Sequence, residues 1–332
     1  MPPTISHGPI SATFAKHICY IYNTISAISA IYLTMDDVTH SDMLCEAARR
    51  HLFVTDLDGT LLDNEGRVPP MTARVISDLS HMGALITVAT ARTPATVDRI
   101  LAHTFTRLPL IVMTGAALWD RPHRCYADPH PIAPDLAGEA YRLCLSAGLS
   151  PFVYNLTDDG MLHVHHVGDI SPLEQRFIRD RSQLLLKQFH FHSEMAPTSS
   201  FDATMLLLAM GPVEDVMKLG ETMRLSIGLT VQAYPDNYDP RQGVLEVFAQ
   251  GVSKAAAVRA MAERTGAEWV TVFGDNLNDL PMMEVADEAV AVANAMPEVI
   301  ERADTVIGPN SEESVARYIL ESLGLVDCND RH

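Results

Sequence analysis

The chain has few basic residues for its acidic content, and few cysteines. Lys and Arg number 24 against 42 Asp and Glu, a formal net charge of −18 over 332 residues. The resulting field repels polyanions, so we expect no nucleic-acid partner, and an anionic substrate requires a locally positive site. Five scattered cysteines without a Cys-x-x-Cys spacing argue against a disulfide framework or a zinc knuckle, and they favour a reducing, cytoplasmic location.

Long apolar runs are also rare, with residues 18–33 as the exception. This uncharged stretch is similar to a signal sequence or a membrane anchor, but sixteen residues are short for a bilayer span and several are polar. We therefore predict that residues 1–50 are a disordered extension, with Met35 or Met43 as alternative translation starts. No later segment is apolar enough to cross a bilayer, so we expect no membrane association.

From Leu52 onward, short apolar runs alternate with helical periodicity. This alternation predicts βα units around a mainly parallel sheet, a doubly wound, Rossmann-like α/β fold. Between residues 133 and 240, helices and strands follow one another in a different order, and the βα rhythm then resumes. We therefore predict a core domain from 51–132 and 241–332 and an inserted α/β cap domain of α+β composition from 133–240.

Polar groups follow three of the predicted core strands. Asp56 and Asp58 come directly after the apolar run "HLFVT", Thr90 follows the second strand, and Asp275 and Asp279 follow "WVTVFG". Parallel strands bring their carboxyl ends to one edge of a sheet, where ligands bind. Crowded carboxylates raise one another's pKa unless a cation lies among them, and an oxygen-only cluster favours Mg²⁺. The pattern therefore predicts a magnesium site.

The residues around these acids favour phosphate chemistry. Gly59 and Thr60 allow a tight turn whose N–H groups bind an anion, and Lys254 adds a positive charge at a helix start. With the Thr90 hydroxyl and a metal ion, such groups are typical of phosphoryl transfer to a carboxylate. Taken alone, "DLDG" also fits a simple turn or a calcium-binding loop. Arg92 is open between a structural salt bridge and a supporting role.

Four motifs in this order resemble the haloacid dehalogenase (HAD) superfamily, specifically the Cof-type sugar-phosphate phosphatases with a C2B cap between their second and third motifs. The resemblance covers residues 50–325. The matching segments are "DLDGTLLD", "ITVATAR", "GVSKAAAV" and "GDNLNDLPMM".

The resemblance implies a role for each matching residue. Asp56 would be the nucleophile that forms an aspartyl-phosphate, and Asp58 would protonate the leaving alcohol and then deprotonate water. Asp56, the backbone carbonyl of Asp58, and Asp275 would bind Mg²⁺. The remaining roles are supporting: phosphate binding by Thr90, Lys254, Gly59 and Asn278, and orientation of the metal site or its partners by Asp279 and Arg92.

The resemblance implies a Mg²⁺-dependent phosphatase that acts on small phosphate monoesters as a monomer or weak homodimer. The chain departs from the family pattern at two places: it has Ala91 where Gly is common, and Thr114-Gly115 where Asn-Gly is common. Neither departure touches the residues with a chemical role, but both lie near the cap, so the substrate of a family member cannot be assigned to this chain. A phosphomutase with the same intermediate and a catalytically silent binding module stay as alternatives.

The predicted cap offers several polar residues without an assigned role. Asp202, Tyr234 and the histidines of "HVHH" at 163–166 are candidates to line the substrate site. His163 and His165 share one face if this segment is a strand, which also allows metal binding, although solvent-facing strand histidines are common without a metal.

Overall fold

The computed structural model describes residues 48–193, 201–236 and 239–325. Its strands, in chain order, are β1 (His51–Thr55), β2 (Leu85–Val88), β3 (Leu110–Val112), β4 (Ala117–Asp120), β5 (Cys125–Ala127), β6 (Phe152–Leu156), β7 (Leu162–Val167), β8 (Lys187–His192), β9 (Thr204–Pro212), β10 (Thr230–Pro235), β11 (Gln242–Phe248), β12 (Trp269–Gly274), β13 (Glu288–Val292) and β14 (Thr305–Ile307). Its α-helices are α1 (Pro70–His81), α2 (Pro94–Ile100), α3 (Pro134–Ser146), α4 (Pro172–Arg179), α5 (Val213–Ser226), α6 (Lys254–Thr265), α7 (Leu280–Met283), α8 (Pro297–Ile300) and α9 (Ser314–Ser322).

Five parallel strands form the first sheet, in the order β14-β13-β12-β1-β2. β1 is buried from Leu52 to Thr55, as expected for an apolar run covered on both faces of a parallel sheet. β2 lies on one side of β1 and β12 on the other, so the strand order reverses here. Such a reversal is where open α/β sheets bind ligands. The predicted α/β class with a parallel core is confirmed.

A small antiparallel sheet, β3-β4-β5, continues from this core. One parallel bridge between Ala89 and Ile111 joins it to the end of β2. The α6 helix then begins at Lys254, after the N-cap Ser253, whose hydroxyl accepts a hydrogen bond from the Ala256 N–H at 3.0 Å. The helix therefore starts at a fixed point and holds Lys254 in its first turn.

Six strands form a second sheet in the order β10-β11-β9-β6-β7-β8, antiparallel except for the pair β7–β8. Helices α3 and α5 pack on one face, where Tyr141 and Val216 meet Val153, Leu207 and Leu245. Because neighbouring strands keep their side chains in register, the opposite face carries the other alternate residues. These include Tyr154, Leu208 and Glu246.

The strand β11 lies in this second sheet, paired with β9 and β10. A short connection after β10 returns the chain antiparallel beside it, so pairing with the neighbouring strand decides its sheet. The sequence-based boundary at residue 241 assigns β11 to the core segment, and the predicted domain division stays a prediction.

Residues 1–47, and with them the apolar stretch 18–33, lie outside the described residues. Residues 48–50 of the predicted extension are described, and the Arg50 carbonyl accepts a hydrogen bond from the Glu268 N–H at 2.8 Å. Within the described ranges, no helix combines the length and the apolar composition that a bilayer crossing requires.

Candidate active site

The carboxyl ends of β1, β2 and β12 bring most of the predicted site residues to one edge of the first sheet. The N–H of Asp56 donates to the Phe273 carbonyl at 3.0 Å, so the ladder between β1 and β12 continues to the first acid. Thr90, just beyond β2, donates its N–H to Ile111 at 2.9 Å. Backbone hydrogen bonds alone therefore fix the positions of Asp56 and Thr90 relative to their neighbouring strands.

The turn after Asp56 requires glycine at position 59. Gly59 has φ +82°, a left-handed conformation, and a Cβ there would lie 2.3 Å from Oδ2 of Asp275. The Thr60 hydroxyl donates to Oδ1 of Asp275 at 2.8 Å, and the Asn294 amide donates to the Gly59 carbonyl at 2.8 Å. This turn therefore packs directly against the Asp275 carboxylate and orients it.

Lys254 connects two buried carboxylates. Its ammonium donates to Oδ1 of Asp56 and, at 2.7 Å, to Oδ1 of Asp279, and all three side chains are at least nine-tenths buried. Burial alone would lower the pKa of Lys254, but the two carboxylates outweigh it and raise that pKa. Burial raises the pKa of Asp56, the Lys254 ammonium opposes this, and Asp279 adds to the rise.

Asp279 also organises the loop after β12. Its Oδ2 accepts hydrogen bonds from the N–H groups of Asp275 and Asn276, both at 3.1 Å. Asp279 is fully buried, so its charge is balanced by Lys254 and these two donors alone among the described residues. It therefore both positions Lys254 and holds the backbone at Asp275, while its predicted supporting role stays a prediction.

The carboxylates of Asp56, Asp275 and Asp279 form the candidate metal centre. Each offers an oxygen, and these atoms all lie within 4.8 Å of one another. Burial raises the pKa of Asp275 to about 6, with the Thr60 hydrogen bond opposing it and the Asp279 charge adding to it. An oxygen-only donor set whose members repel one another fits a hard divalent cation. The residues present therefore fit Mg²⁺.

Asp58 lies apart from this carboxylate cluster. Its side chain is 52% exposed and accepts two hydrogen bonds from Arg92, from Nε and Nη2, both at 2.6 Å. The Arg92 N–H in turn donates to the Thr90 hydroxyl at 3.2 Å. The second and first motifs therefore meet through a bidentate ion pair, which gives Arg92 a partner at the site.

Asn278 stands out among the predicted phosphate ligands, because its side chain is exposed on the turn after β12. The phosphate-binding roles predicted for Thr90, Lys254, Gly59 and Asn278 stay predictions, as does metal binding by the Asp58 carbonyl.

Two asparagines of the site, Asn294 and Asn310, have no role predicted from the sequence. Asn294, after β13, donates to Gly59 and accepts from the Asn310 N–H at 2.8 Å, and the Asn310 amide donates to the Leu62 carbonyl at 2.7 Å. Both therefore fasten the turn that follows the first aspartate. The only sequence signal for Asn294 is its position after an apolar strand, "AVAVAN".

Glu246 in β11 is another residue that sequence reasoning missed. Its side chain is buried, and Tyr234 donates a hydrogen bond to its carboxylate, while Oε2 has no hydrogen-bond partner among the described residues. Burial raises the pKa of Glu246 to about 7, against the Tyr234 hydrogen bond and the charge of Lys254. Glu246 therefore presents a buried acceptor with an unpartnered oxygen on this face of the second sheet.

The other predicted cap residues are divided between the two faces of the second sheet. Tyr234 shares the face of Glu246, whereas His163 and His165 lie on the opposite face, and Asp202 is exposed outside the strands. Strand alternation fixes this division, because the tyrosine aligns with Val244 and thus with Glu246.

Comparisons with known proteins identify the family of the chain. A family model described as haloacid dehalogenase-like hydrolase matches residues 53–319. The chain is 25% identical over 284 residues to pyridoxal phosphate phosphatase YbhA of Escherichia coli, covering 81% of this chain and 97% of that protein. It is also 25% identical over 272 residues to 5-amino-6-(5-phospho-D-ribitylamino)uracil phosphatase YcsE of Bacillus subtilis, covering 81% and 94%.

A solved structure has the same fold. BT1666 from Bacteroides thetaiotaomicron, described among the phosphatases of the haloalkanoate (HAD) enzyme superfamily, superposes with a TM-score of 0.64 at 19% identity. The match covers 83% of this chain and 96% of that chain.

Proposed function

Because the chain belongs to the haloacid dehalogenase superfamily and is a Cof-type phosphoric monoester hydrolase, as its motifs predict, we propose that it is a Mg²⁺-dependent phosphatase that forms an aspartyl-phosphate on Asp56. The observation that supports this most directly is the buried contact between the Asp56 carboxylate and the Lys254 ammonium at the end of β1. A purely structural ion pair does not require further carboxylates beside it. Mg²⁺-dependent phosphoryl transfer requires both the lysine and a carboxylate cluster that can hold the ion.

In the proposed first step, a carboxylate oxygen of Asp56 attacks phosphorus, the new O–P bond forms, and the bond to the alcohol oxygen breaks. Asp58 gives its proton to that alcohol. In the second step, water attacks phosphorus, Asp58 takes a proton from the water, and Asp56 is released as a carboxylate. Lys254 and the Thr90 hydroxyl neutralise or bind phosphoryl oxygens.

The pairing of Asp58 with Arg92 bears on these two steps. The Asp58 carboxylate accepts two hydrogen bonds from the Arg92 guanidinium, so both of its oxygens are engaged. In the first step one of these oxygens must face the leaving alcohol, so we infer that the pair opens when the substrate binds. Arg92 would then bind a phosphoryl oxygen, which is the supporting role proposed for it.

Mg²⁺ would be held by Asp56 and Asp275. Asp279 would support the site by holding the loop that carries Asp275. When bound, the ion offsets the negative charge that accumulates as phosphate approaches the carboxylates. Gly59 and Thr60 keep the Asp275 carboxylate in place for that purpose.

The proposed substrates are small phosphorylated metabolites, and sugar phosphates among them. One relative is named for a phosphate on a ribityl chain, which is a polyol, and another for pyridoxal phosphate. The buried carboxylate of Glu246 and the exposed side chain of Tyr234 offer hydrogen-bonding groups that fit hydroxyls on the leaving alcohol. A cytoplasmic location and a monomer or weak homodimer complete the proposal.

The test is a screen of phosphate monoesters with the purified full chain. We expect release of inorganic phosphate with Mg²⁺ and none after chelation with EDTA. Asp56→Asn should abolish release, whereas Asp135→Asn, an exposed aspartate at the start of α3, should leave it unchanged. Isomerised ester without free phosphate would favour the phosphomutase. Undiminished turnover by Asp56→Asn would contradict the proposed nucleophile.

A further inference from the structure

One buried cation of the second sheet has no role in the proposed mechanism. Lys187 is the first residue of β8 and is only 6% exposed. Among the described residues, its ammonium has no ion-pair or hydrogen-bond partner, and it lies over the ring of Tyr154 at 5.2 Å from the centroid. The ring attracts the cation but provides no carboxylate to neutralise it. Lysines are rarely buried to this extent without a paired acid, so the position calls for a counter-charge.

Lys187 lies on the face of the second sheet that is continuous with the core of the first. It aligns with Leu162 of β7. Leu162 and Tyr154 belong to one apolar core with Leu57, in the turn after β1, and Val252, before α6. The residues of the opposite face form a separate core under α3 and α5. The unpaired ammonium therefore lies on the side of the second sheet that shares its core with the candidate active site.

A second cation, Arg181, makes the surroundings of Lys187 positive. Burial and then the charge of Arg181 lower the pKa of Lys187 to about 7. The guanidinium of Arg181 stacks over the Phe177 ring, 4.1 Å from the centroid, and donates to the Phe177 carbonyl at 3.2 Å. These contacts hold it in place without an acid. Two cations therefore create a locally positive region in a chain of net charge −18, which is what an anionic ligand of this chain requires.

Tyr154 adds a neutral hydrogen-bond donor beside Lys187. Burial raises the pKa of Tyr154, so its phenol keeps the proton. The Lys187 ammonium is not among the fully enclosed polar atoms that lack a partner in the described ranges, whereas Oε2 of Glu246 is. The ammonium therefore keeps a small opening to solvent, through which a ligand reaches it.

We propose that Lys187, with Tyr154 and Arg181 beside it, binds a second anionic group, a carboxylate or a phosphate, on the alcohol part of the substrate. This inference rests on the proposed phosphatase function and names a substrate class for it. The bound anion supplies the counter-charge that the ammonium lacks, and the ammonium and the phenol donate hydrogen bonds to its oxygens.

The experiment compares two matched pairs of esters with the full-length protein in Mg²⁺. Glycerol 3-phosphate and 3-phosphoglycerate differ by a carboxylate, and fructose 6-phosphate and fructose 1,6-bisphosphate differ by a phosphate. We expect a lower KM for the more anionic member of at least one pair, and that pair identifies the anion. Lys187→Met should raise this KM about tenfold or more. The KM of the less anionic member should stay within about twofold.

Lys218→Met is the matched control, because this exposed lysine lies on α5, and it should change neither KM. A binding measurement separates the inference from the proposed function. In Asp56→Asn, calorimetry with the same esters measures affinity without turnover, and adding Lys187→Met should remove the preference for the second anion. Preferential binding that depends on Lys187, in a native chain that releases no phosphate, would contradict the proposed function alone.

Two results would overturn the inference. The first is a Lys187→Met protein, folded by circular dichroism, that keeps the native preference for the second anion in both assays. The second is a native chain that binds both members of each pair equally well. In either case the ammonium would have a structural role over the Tyr154 ring and no part in recognition.

Discussion

The two large sheets of this protein use their strands in different ways. In the parallel sheet, strands β1, β2 and β12 end together, and their ends deliver Asp56, Thr90 and Asp275 to one edge. In the second sheet, the functional-looking residues lie on the faces instead. Glu246 and Tyr234 share one face, and the histidines 163 and 165 of β7 and 190 and 192 of β8 lie on the other.

The difference follows from backbone geometry. Parallel neighbours run in the same direction, so the last residues of several strands meet although they are distant in sequence. In the second sheet most neighbours are antiparallel and alternate in direction, with β7–β8 as the parallel pair, and what all its strands share is a face on which every second residue appears. Buried charges accordingly gather at an edge in the first sheet, whereas hydrogen-bonding groups spread over a surface in the second.

Removal of the cation at the edge should have the largest effect. Lys254→Met leaves Asp56 and Asp279 buried without their shared partner, so we expect a loss of about 3–5 kcal/mol in the free energy of unfolding. Phosphate release should fall at least about a thousandfold, since the transition-state charge also loses its partner. Denaturant unfolding and a phosphate assay measure the two effects.

Arg259→Met provides the control, because this exposed cation lies on the same helix. It should change neither stability nor activity. A Lys254→Met protein as stable as the native chain would mean that the edge does not depend on buried charge pairing, and the contrast between the two sheets would lose its basis.

A smaller change at the same edge should affect metal affinity. In Gly59→Ala the new methyl group would lie 2.3 Å from the Asp275 carboxylate, so the turn or the carboxylate must move. We expect the Mg²⁺ concentration for half-maximal activity to rise about tenfold, equivalent to ~1.4 kcal/mol of binding free energy. The measurement is phosphate release against Mg²⁺ concentration.

Gly66→Ala is the matched variant for backbone strain alone. Gly66 has φ +72°, and nothing lies within 4 Å of a Cβ placed there. Its Mg²⁺ dependence should match that of the native chain. Equal shifts in both variants would assign the effect to strain in the turn rather than to the Asp275 contact.

On the second sheet, a change at Glu246 should alter substrate binding rather than chemistry. Glu246→Gln keeps the shape but removes the charge, and we expect KM to rise about tenfold with kcat within about twofold. Steady-state kinetics on the best ester from the screen give both values. Glu214→Gln, an exposed acid on α5, should change neither.

The alternative outcome at Glu246 is equally clear. If its carboxylate does not contact the substrate, KM will stay constant, and the free energy of unfolding will rise because a buried acid with an unpartnered oxygen has been neutralised. That result would assign recognition to another part of the second sheet.

The last effect concerns His51 at the start of β1 and appears only at acidic pH. Burial lowers its pKa from 6.5 to about 4, although Glu288 and Asp287 oppose this. Below pH 6.5 the unfolded chain therefore binds a proton that the folded chain refuses until about pH 4, so the free energy of unfolding falls as the pH falls through this window. In His51→Gln this part of the pH dependence should disappear.

Urea unfolding at several pH values between 4 and 7 measures the slope. His103→Gln, an exposed histidine beyond α2, should keep the native slope. An unchanged slope in His51→Gln would show that other groups carry the pH dependence, and that the start of β1 is less closed to solvent than its end.

Much of the candidate site could be predicted from the sequence. The acids lie directly after apolar runs, and the chain order of the four motifs identifies the family. Asn310 and Glu313 show what the sequence leaves open. The Asn310 amide donates to the Leu62 carbonyl, while Glu313 accepts hydrogen bonds from the N–H and hydroxyl of Thr72 at 2.7 and 2.9 Å. Local patterns describe neighbours in the chain, and these partners are about 240 residues away.

The partners of Arg92 and the sheet of β11 were likewise beyond local patterns. Arg92 was equally compatible with a salt bridge elsewhere until the tertiary structure brought it to Asp58. β11 has the same apolar composition as a core strand, and only its hydrogen-bonded neighbours decide which sheet it joins.

The sequence by itself determined that acids end the core strands, that a lysine begins a later helix, and that one family has this arrangement. The residue types and their order along the chain are enough for that. Only the tertiary structure decided which acid pairs with Lys254, which lies open beside Arg92, and which histidines stack. Those facts depend on strand register and on contacts between residues far apart in the chain, and neither is encoded in any short stretch of it.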